Sequence, residues 1–307
     1  MAAPDLLRIH PGVAEALSAR QGVVALESTI ISHGLPADSS ADVARQIEAA
    51  VRASGAVPAT IALLDGVVRI GLDDQALERV ATDPAVVKAS IRDLGPVLAT
   101  GMAGATTVAS TAYLAHRVGI DVFATGGLGG VHRGAQESWD ESADLAALAQ
   151  VPITVVCAGV KSILDVPATL ERLESLSIGL VGYRTDVFPG FYVRDSGQPV
   201  PWRLDDVEAI AETVRQRHAL GLQQALVVAN PIDESAEMEK VLHDTVVTSG
   251  LRALSEAGVR GKDVTPFLLA HFHEQTHGRS LAANIDLVLS NARVAGQIAV
   301  AASRTAD

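Results

Sequence analysis

The sequence predicts an α/β fold built on a mainly parallel sheet, and three observations carry that expectation. Hydrophobic residues make up 48% of the 307 residues while aromatics make up only 3%. The core is therefore expected to consist of Ala, Val, Leu and Ile, which suits helices packed on a buried parallel sheet. Short β-rich apolar runs alternate with helical patterns along most of the chain, as in a series of crossover units. No repeat, low-complexity stretch or Pro/Ser-rich linker breaks the alternation, so one domain over residues 1–307 is expected.

The expected strands are Val23–Leu26, Thr60–Leu64, Val67–Ile70, Pro96–Thr100, Val122–Thr125, Ile153–Ala158, Ile178–Tyr183 and Ala225–Ala229. Asp65-Gly66 between the second and third is a hairpin signal, because a type I′ turn needs positive φ at both central residues. Helices are marked in four places. Val43, Ile47, Ala50 and Val51 form an apolar stripe behind the cap signals Asp38-Ser39-Ser40, with Gly55 as the stop. Asp205–Leu220 carries Val207, Ile210, Ala211 and Val214 at the same spacing. Thr265-Pro266 reads as an N-cap followed by a first-turn proline, with Gly278 as the stop. Asn284–Ala302 forms the last helix.

Charge and composition exclude some classes. The net charge of −12 argues against a general nucleic-acid or anionic-membrane surface, though a few convergent donors could still hold a small phosphorylated molecule. The single cysteine, Cys157, has no internal partner and reads as a small buried strand residue. The N-terminus lacks a charged-then-apolar signal pattern, and no apolar run approaches the roughly 18–20 residues of a membrane span. A soluble, cytoplasmic protein is expected.

Six places could carry chemistry. Ala124–Gly134 (ATGGLGGVHRG) follows a strand directly, so its glycines would let backbone N–H groups approach an oxyanion, with His132 and Arg133 as added donors. It is no dinucleotide fingerprint, because the third glycine would have to fall at His132. A tight glycine turn without ligand is the competing reading. Asp140 and Asp144, four apart, would share a helix face and could meet one hard cation or a substrate, or they form a dipole-stabilised helix start. Lys161 lies just past an apolar strand, where lost solvation favours the neutral amine that attacks a carbonyl; a surface lysine opening a helix is the alternative. Lys88 is one of four lysines, the others being Lys161, Lys240 and Lys262. Glu27 ends the first expected strand, where it can face a site as acid or base or merely cap a loop. Finally, His273 and His277 flank a glutamate in the zinc-protease pattern, but Gly278 ends that helix at once and no third ligand is signalled.

Taken together these segments resemble the pseudouridine-5′-phosphate glycosidase family, also called indigoidine synthase A-like. The matching stretches are Val24–Gly34, Gly55–Ile61, Gly104–Thr111, Val122–Gly134, Ser142–Leu145, Val155–Asp165, Val227–Pro231 and Thr265–Leu269. The resemblance runs from about Leu7 into the final helix. It implies a three-layer α/β/α sandwich and usually a homotrimer that uses a divalent metal, typically manganese. By resemblance, Lys161 corresponds to the imine-forming nucleophile, Glu27 to the proton donor and Asp140 to the metal ligand. Lys88, Val108 and Ser142, Ala143 and Asp144 match substrate-contacting positions, and Thr125, His132 and Asn284 match phosphate or ribose contacts. His273 and His277 match no functional position. The implied reaction is cleavage of the C–C glycosidic bond of pseudouridine 5′-phosphate to uracil and ribose 5-phosphate. A fused sugar-kinase domain, found in some relatives, is not expected in a chain of this length. The competing readings are another Schiff-base lyase acting on a sugar phosphate, a non-catalytic phosphosugar-binding module and, last, a zinc peptidase.

Overall fold

Val23–Leu26, Thr154–Cys157 and Leu226–Ala229 are buried at every position, as strands covered on both faces must be. The computed structural model describes residues 6–259 and 264–304. Its strands are β1 (Leu7–Ile9), β2 (Val23–Leu26), β3 (Val57–Leu64), β4 (Val67–Ile70), β5 (Val87–Ala89), β6 (Gly104–Thr106), β7 (Val122–Ala124), β8 (Thr154–Cys157), β9 (Gly179–Tyr183), β10 (Arg203–Leu204) and β11 (Leu226–Ala229). They form one sheet in the order β1-β4-β3-β2-β7-β8-β11-β9-β10, with β6 also on β3 and β5 on β6. Only the β3–β4 and β3–β6 pairs are antiparallel. The mainly parallel α/β architecture expected from the sequence is the one observed.

The helices are α1 (Pro11–Ser18), α2 (Thr29–His33), α3 (Ala37–Ala53), α4 (Asp74–Thr82), α5 (Leu94–Thr100), α6 (Val108–His116), α7 (Ala135–Ser138), α8 (Ala143–Leu148), α9 (Val166–Ser175), α10 (Val207–Ala219), α11 (Lys240–Ala257), α12 (Val264–Gln275) and α13 (Arg279–Ser303). Helix α13 lies between α3 and α10 and covers β2, β7 and β8, whereas α6, with α8 beside it, covers β2, β3 and β6. By length and composition α13 could cross a membrane, but 56% of its most apolar window is buried inside the fold, as befits a core helix.

Local chemistry explains most elements. Asp65 and Gly66 have φ of 55° and 78°, the type I′ turn that joins β3 to β4. Helix α10 is capped by Asp206, whose carboxylate accepts from the Ala209 N–H. Helix α3 starts one turn earlier than its cap signals suggest, so Asp38, Ser39 and Ser40 lie in its first turn. Pro96–Thr100 is a helix and not a strand. Leu94 and Val97 are buried at i, i+3 spacing, Pro96 sits in the first turn, and Gly101 at φ 68° closes the end. Strands β1, β5, β6 and β10 have two or three residues each, too few to show a period. Helix α12 already begins at Val264, so Thr265 and Pro266 lie inside its first turn. The residues before it, Lys262 among them, lie outside the described residues, as do the side chains of Thr265 and Pro266.

Candidate active site

Strands β2, β7 and β8 are parallel neighbours, so the residues after their carboxyl ends converge. Glu27 follows β2, Thr125 follows β7, and Lys161 lies four residues past β8. Glu27, Lys161, Lys88 and Asn284 line one cavity, closed by Phe191 and Gly127. The residues expected as nucleophile and acid, and two of those expected to contact substrate, come from widely separated segments and share a single space.

Lys161 is held from two sides. Its N–H donates to the Leu128 carbonyl at 3.2 Å, and Val160 bridges Leu128 in parallel register, so β8 and the glycine loop stay paired beyond the sheet. Gly159 makes the turn between strand and lysine at φ 85°, where an added Cβ would run into the Pro189 carbonyl. The end of β7 is fixed from beneath. Asn230 donates to the Asn291 side-chain oxygen at 2.9 Å, and Asn291 donates to the Thr125 carbonyl at 2.8 Å. That chain gives the Val227–Pro231 segment its part in the site.

Glu27 is 7% exposed. Burial pushes its carboxyl above the ordinary range, opposed by the Lys161 ammonium and by the Thr125 hydroxyl, which donates to Oε1. Asp144 raises it further and Lys88 lowers it. The Thr125 hydroxyl is therefore turned onto the acid.

The glycine loop works differently from its sequence expectation. The N–H groups of Leu128, Gly129, Val131 and His132 donate to the Gly159 carbonyl, Asp144 Oδ2, Thr169 Oγ1 and the Asp140 carbonyl, at 2.9–3.0 Å. Those amides are satisfied inside the protein and do not cradle an oxyanion. Glycine is required at these positions by close packing. An added Cβ would strike the Phe191 ring at Gly127, Ser142 Oγ and Asp144 Oδ2 at Gly129, and Thr169 at Gly130.

Asp144 accepts from the Ala109 and Gly129 N–H groups, both at 2.9 Å, and so ties the start of α6 to the loop. Asp140 precedes α8, whose N-cap is Ser142, so the two aspartates do not share a helix face; the bridge between Val131 and Glu141 holds this stretch in extended form instead. Val108 is buried at the first position of α6, so it can offer a ligand its backbone N–H, which has no partner within the helix. Ala143 is exposed at the corresponding start of α8. His132 is half-buried, and burial holds its pKa below the usual imidazole value against the pull of Asp140, with Lys88 and Lys161 lowering it further. Lys88 lies in β5, paired with Ala105 of β6.

Among the described residues, no group of three or more His, Cys, Asp or Glu side chains converges to hold a metal. Asp140 beside His132 instead suits a hard divalent cation held by one carboxylate and water, such as manganese or magnesium, and not a closed protein cage. Helix α12 ends at Gln275 and His277 has φ 50°, so His273 and His277 do not share a helix face. Cys157 is fully buried, and burial pushes its thiol up to about 12.

Of the cavity residues to which sequence reasoning gave no role, Phe191 and His33 stand out. Phe191 has φ 69° and packs on Gly127; its signal was the aromatic cluster Phe188–Tyr192 in a chain with five phenylalanines. His33 lay inside a matched segment but carried no expected function.

A lysine and a buried acid that meet at the strand ends of a parallel sheet are the makings of an α/β enzyme site. Comparison with known proteins narrows this. The profile described as "Indigoidine synthase A like protein" matches residues 12–301, and the chain belongs to that family. It is 58% identical over 292 residues to the pseudouridine-5′-phosphate glycosidase of Streptomyces griseus subsp. griseus, covering 95% of this chain and 90% of the relative. The Salinispora tropica glycosidase is 56% identical over 298 residues, covering 97% and 92%. Among solved structures, the prealnumycin C-glycosynthase AlnA in complex with ribulose 5-phosphate superposes with a TM-score of 0.90 at 38% identity, over 98% of both chains. An indigoidine synthase A-like protein of Thermotoga maritima gives 0.88 at 37%, over 97% of both.

Proposed function

We propose that the protein is a pseudouridine-5′-phosphate glycosidase that cleaves the C–C bond between ribose and uracil, reversibly, with Lys161 as nucleophile and Glu27 as proton donor. The observation that carries the residue roles is the shared cavity of Lys161 and Glu27, with the acid's pKa raised by burial.

The departing atom is a carbon, so protonation of a leaving oxygen or nitrogen, the usual glycosidase device, is not open. The Lys161 amine bonds to the anomeric carbon as the ring opens, and the proton the nitrogen sheds goes to the ring oxygen, which leaves as a hydroxyl. Glu27 then gives its proton to the uracil carbon, which takes the electron pair of the breaking C–C bond. The lysine nitrogen's lone pair closes to C=N. Water hydrolyses that imine to ribose 5-phosphate and the free amine. Once Glu27 has lost its proton, its carboxylate faces the cationic imine nitrogen, a favourable pairing in a buried site.

The 5′-phosphate belongs beside the starts of α6 and α8, where Val108 and Ser142–Asp144 lie, with His132 and Lys88 as cationic or donor neighbours. Asn284 faces the same cavity. A manganese ion, when bound at Asp140, would supply positive charge for phosphate or sugar oxygens. The same reading takes the protein as a cytoplasmic homotrimer, which light scattering of the purified protein tests.

A second reading, a Schiff-base enzyme making or breaking C–C bonds of another sugar phosphate, is favoured by the AlnA likeness. The deciding experiment incubates purified, manganese-supplied protein with pseudouridine 5′-phosphate and follows uracil. Release of uracil at enzymic rates supports the glycosidase; its absence alongside cleavage of another ketose or aldose phosphate moves the second reading to the front.

A further inference from the structure

The cavity that holds Lys161 and Glu27 measures about 50 Å³. That is room on the order of a few waters and not of a nucleotide, so parts of the substrate must lie in adjoining space. A second cavity of about 230 Å³ shares His33, Gly34, Leu269 and Asn284 with the first as a common wall. Beyond that wall it is lined by Leu35, Tyr192 and Leu281, and its far end reaches the exposed residues Pro36, Ala270 and His273. Apolar faces with a few polar edge groups suit a planar heterocycle. Among the described residues no lysine or arginine lines it, so a phosphate finds no counter-ion there.

His33 stands at the junction. Its Nε2 is buried with no hydrogen-bond partner among the described residues. Burial and the Lys88 ammonium keep the ring below the usual imidazole pKa, and a neutral imidazole presents one N–H and one lone pair. Uracil offers N–H and C=O groups in alternation along its edge. Helix α2 holds the ring in place, since Thr29 Oγ1 donates to the Thr106 carbonyl at 2.7 Å and Ser28 Oγ to the Ile61 carbonyl at 2.6 Å.

The order of events adds a constraint. After the C–C bond breaks, the sugar phosphate remains bonded to Lys161, with its anionic end among cationic and N–H groups. Uracil, neutral and free, must leave first and without crossing the anchored sugar. We propose that the second cavity is the exit vestibule for the free pyrimidine, with His33 as the side chain that contacts it in passage. This rests on the glycosidase reading above.

Ala270→Trp fills the vestibule from its exposed end, and His33→Ala removes the junction contact. Rapid acid quench of Ala270→Trp is expected to show a burst of one uracil per site at the wild-type first-turnover rate. Steady-state turnover should then be slower by about tenfold, because release has become limiting. His33→Ala is expected to weaken product inhibition by uracil about fivefold, as the loss of one hydrogen bond implies, with His33→Gln recovering part of it. The vestibule is overturned if Ala270→Trp slows first turnover and steady state by the same factor, or changes neither. It is also overturned if uracil inhibits His33→Ala as it does wild type. A wild-type protein that releases no uracil would remove the activity itself, a separate failure.

Discussion

Glu27 at the end of β2 and Asp144 in the first turn of α8 are 7% and 6% exposed, yet their partners differ. Asp144 accepts two backbone N–H groups that hold α6 and the glycine loop together. Glu27 accepts a single hydroxyl and otherwise faces a cavity, so burial dominates and its proton is retained to higher pH. Two buried carboxylates in one site therefore divide into a structural clamp and the acid that we propose as proton donor. The difference lies in the number and kind of donors each receives, and not in burial.

The largest expected effect that separates them is on turnover. Glu27→Gln should lower kcat by roughly 10²–10⁴-fold, the usual contribution of a general acid. The same variant should be more stable than wild type at neutral pH. Wild-type Glu27 is most compatible with burial when protonated, so that stability is present at low pH and is lost as pH rises from the ordinary value of 4.5 through the raised folded pKa. The Tm difference between the Glu27→Gln variant and wild type should thus grow with rising pH, which melting curves at several pH values check. A difference that shrinks would mean the carboxyl is not held neutral.

Asp144→Asn should do the opposite. Its amide presents donors toward one of two N–H groups, leaving a buried group unpaired at a cost of about 1–3 kcal/mol. Denaturant unfolding at neutral pH should report the loss. Gly129→Ala attacks the same clamp by steric means, since the new Cβ meets Ser142 Oγ and Asp144 Oδ2; a cost of about 1–3 kcal/mol is expected.

Thr125→Val is the finest test. The hydroxyl lowers the Glu27 pKa, so removing it should move the alkaline limb of the kcat–pH profile to higher pH, with the protein still folded. A limb moving the other way would contradict the assignment of Thr125 to Glu27.

Much of this was legible in the sequence, for physical reasons. The apolar runs of β2, β8 and β11 are buried on both faces and so could be read without a period, and Asp65-Gly66 declared its turn by conformation alone. Lys161 and Glu27 could be placed because each closely follows such a run. The function of the glycine loop was not legible. Sequence shows that side chains are absent there, but not that Phe191, Ser142 and Thr169 fill the space or that Asp144 takes the Gly129 amide. Nor could spacing show that Asp140 lies outside α8, because its place depends on the bridge between Val131 and Glu141. The strand carrying Lys88 was invisible for want of length. His33 escaped because its interest comes from lining two cavities while carrying a buried, unpartnered nitrogen.

The central claim is that Lys161 bonds to the sugar while Glu27 delivers the proton. The most direct measurement is mass spectrometry of protein mixed with pseudouridine 5′-phosphate and reduced with borohydride during turnover. A reduced ribose-phosphate adduct on Lys161, absent in Lys161→Ala and in samples without substrate, is the expected result. Full turnover with no adduct on Lys161, or an adduct on another lysine such as Lys88, would contradict it.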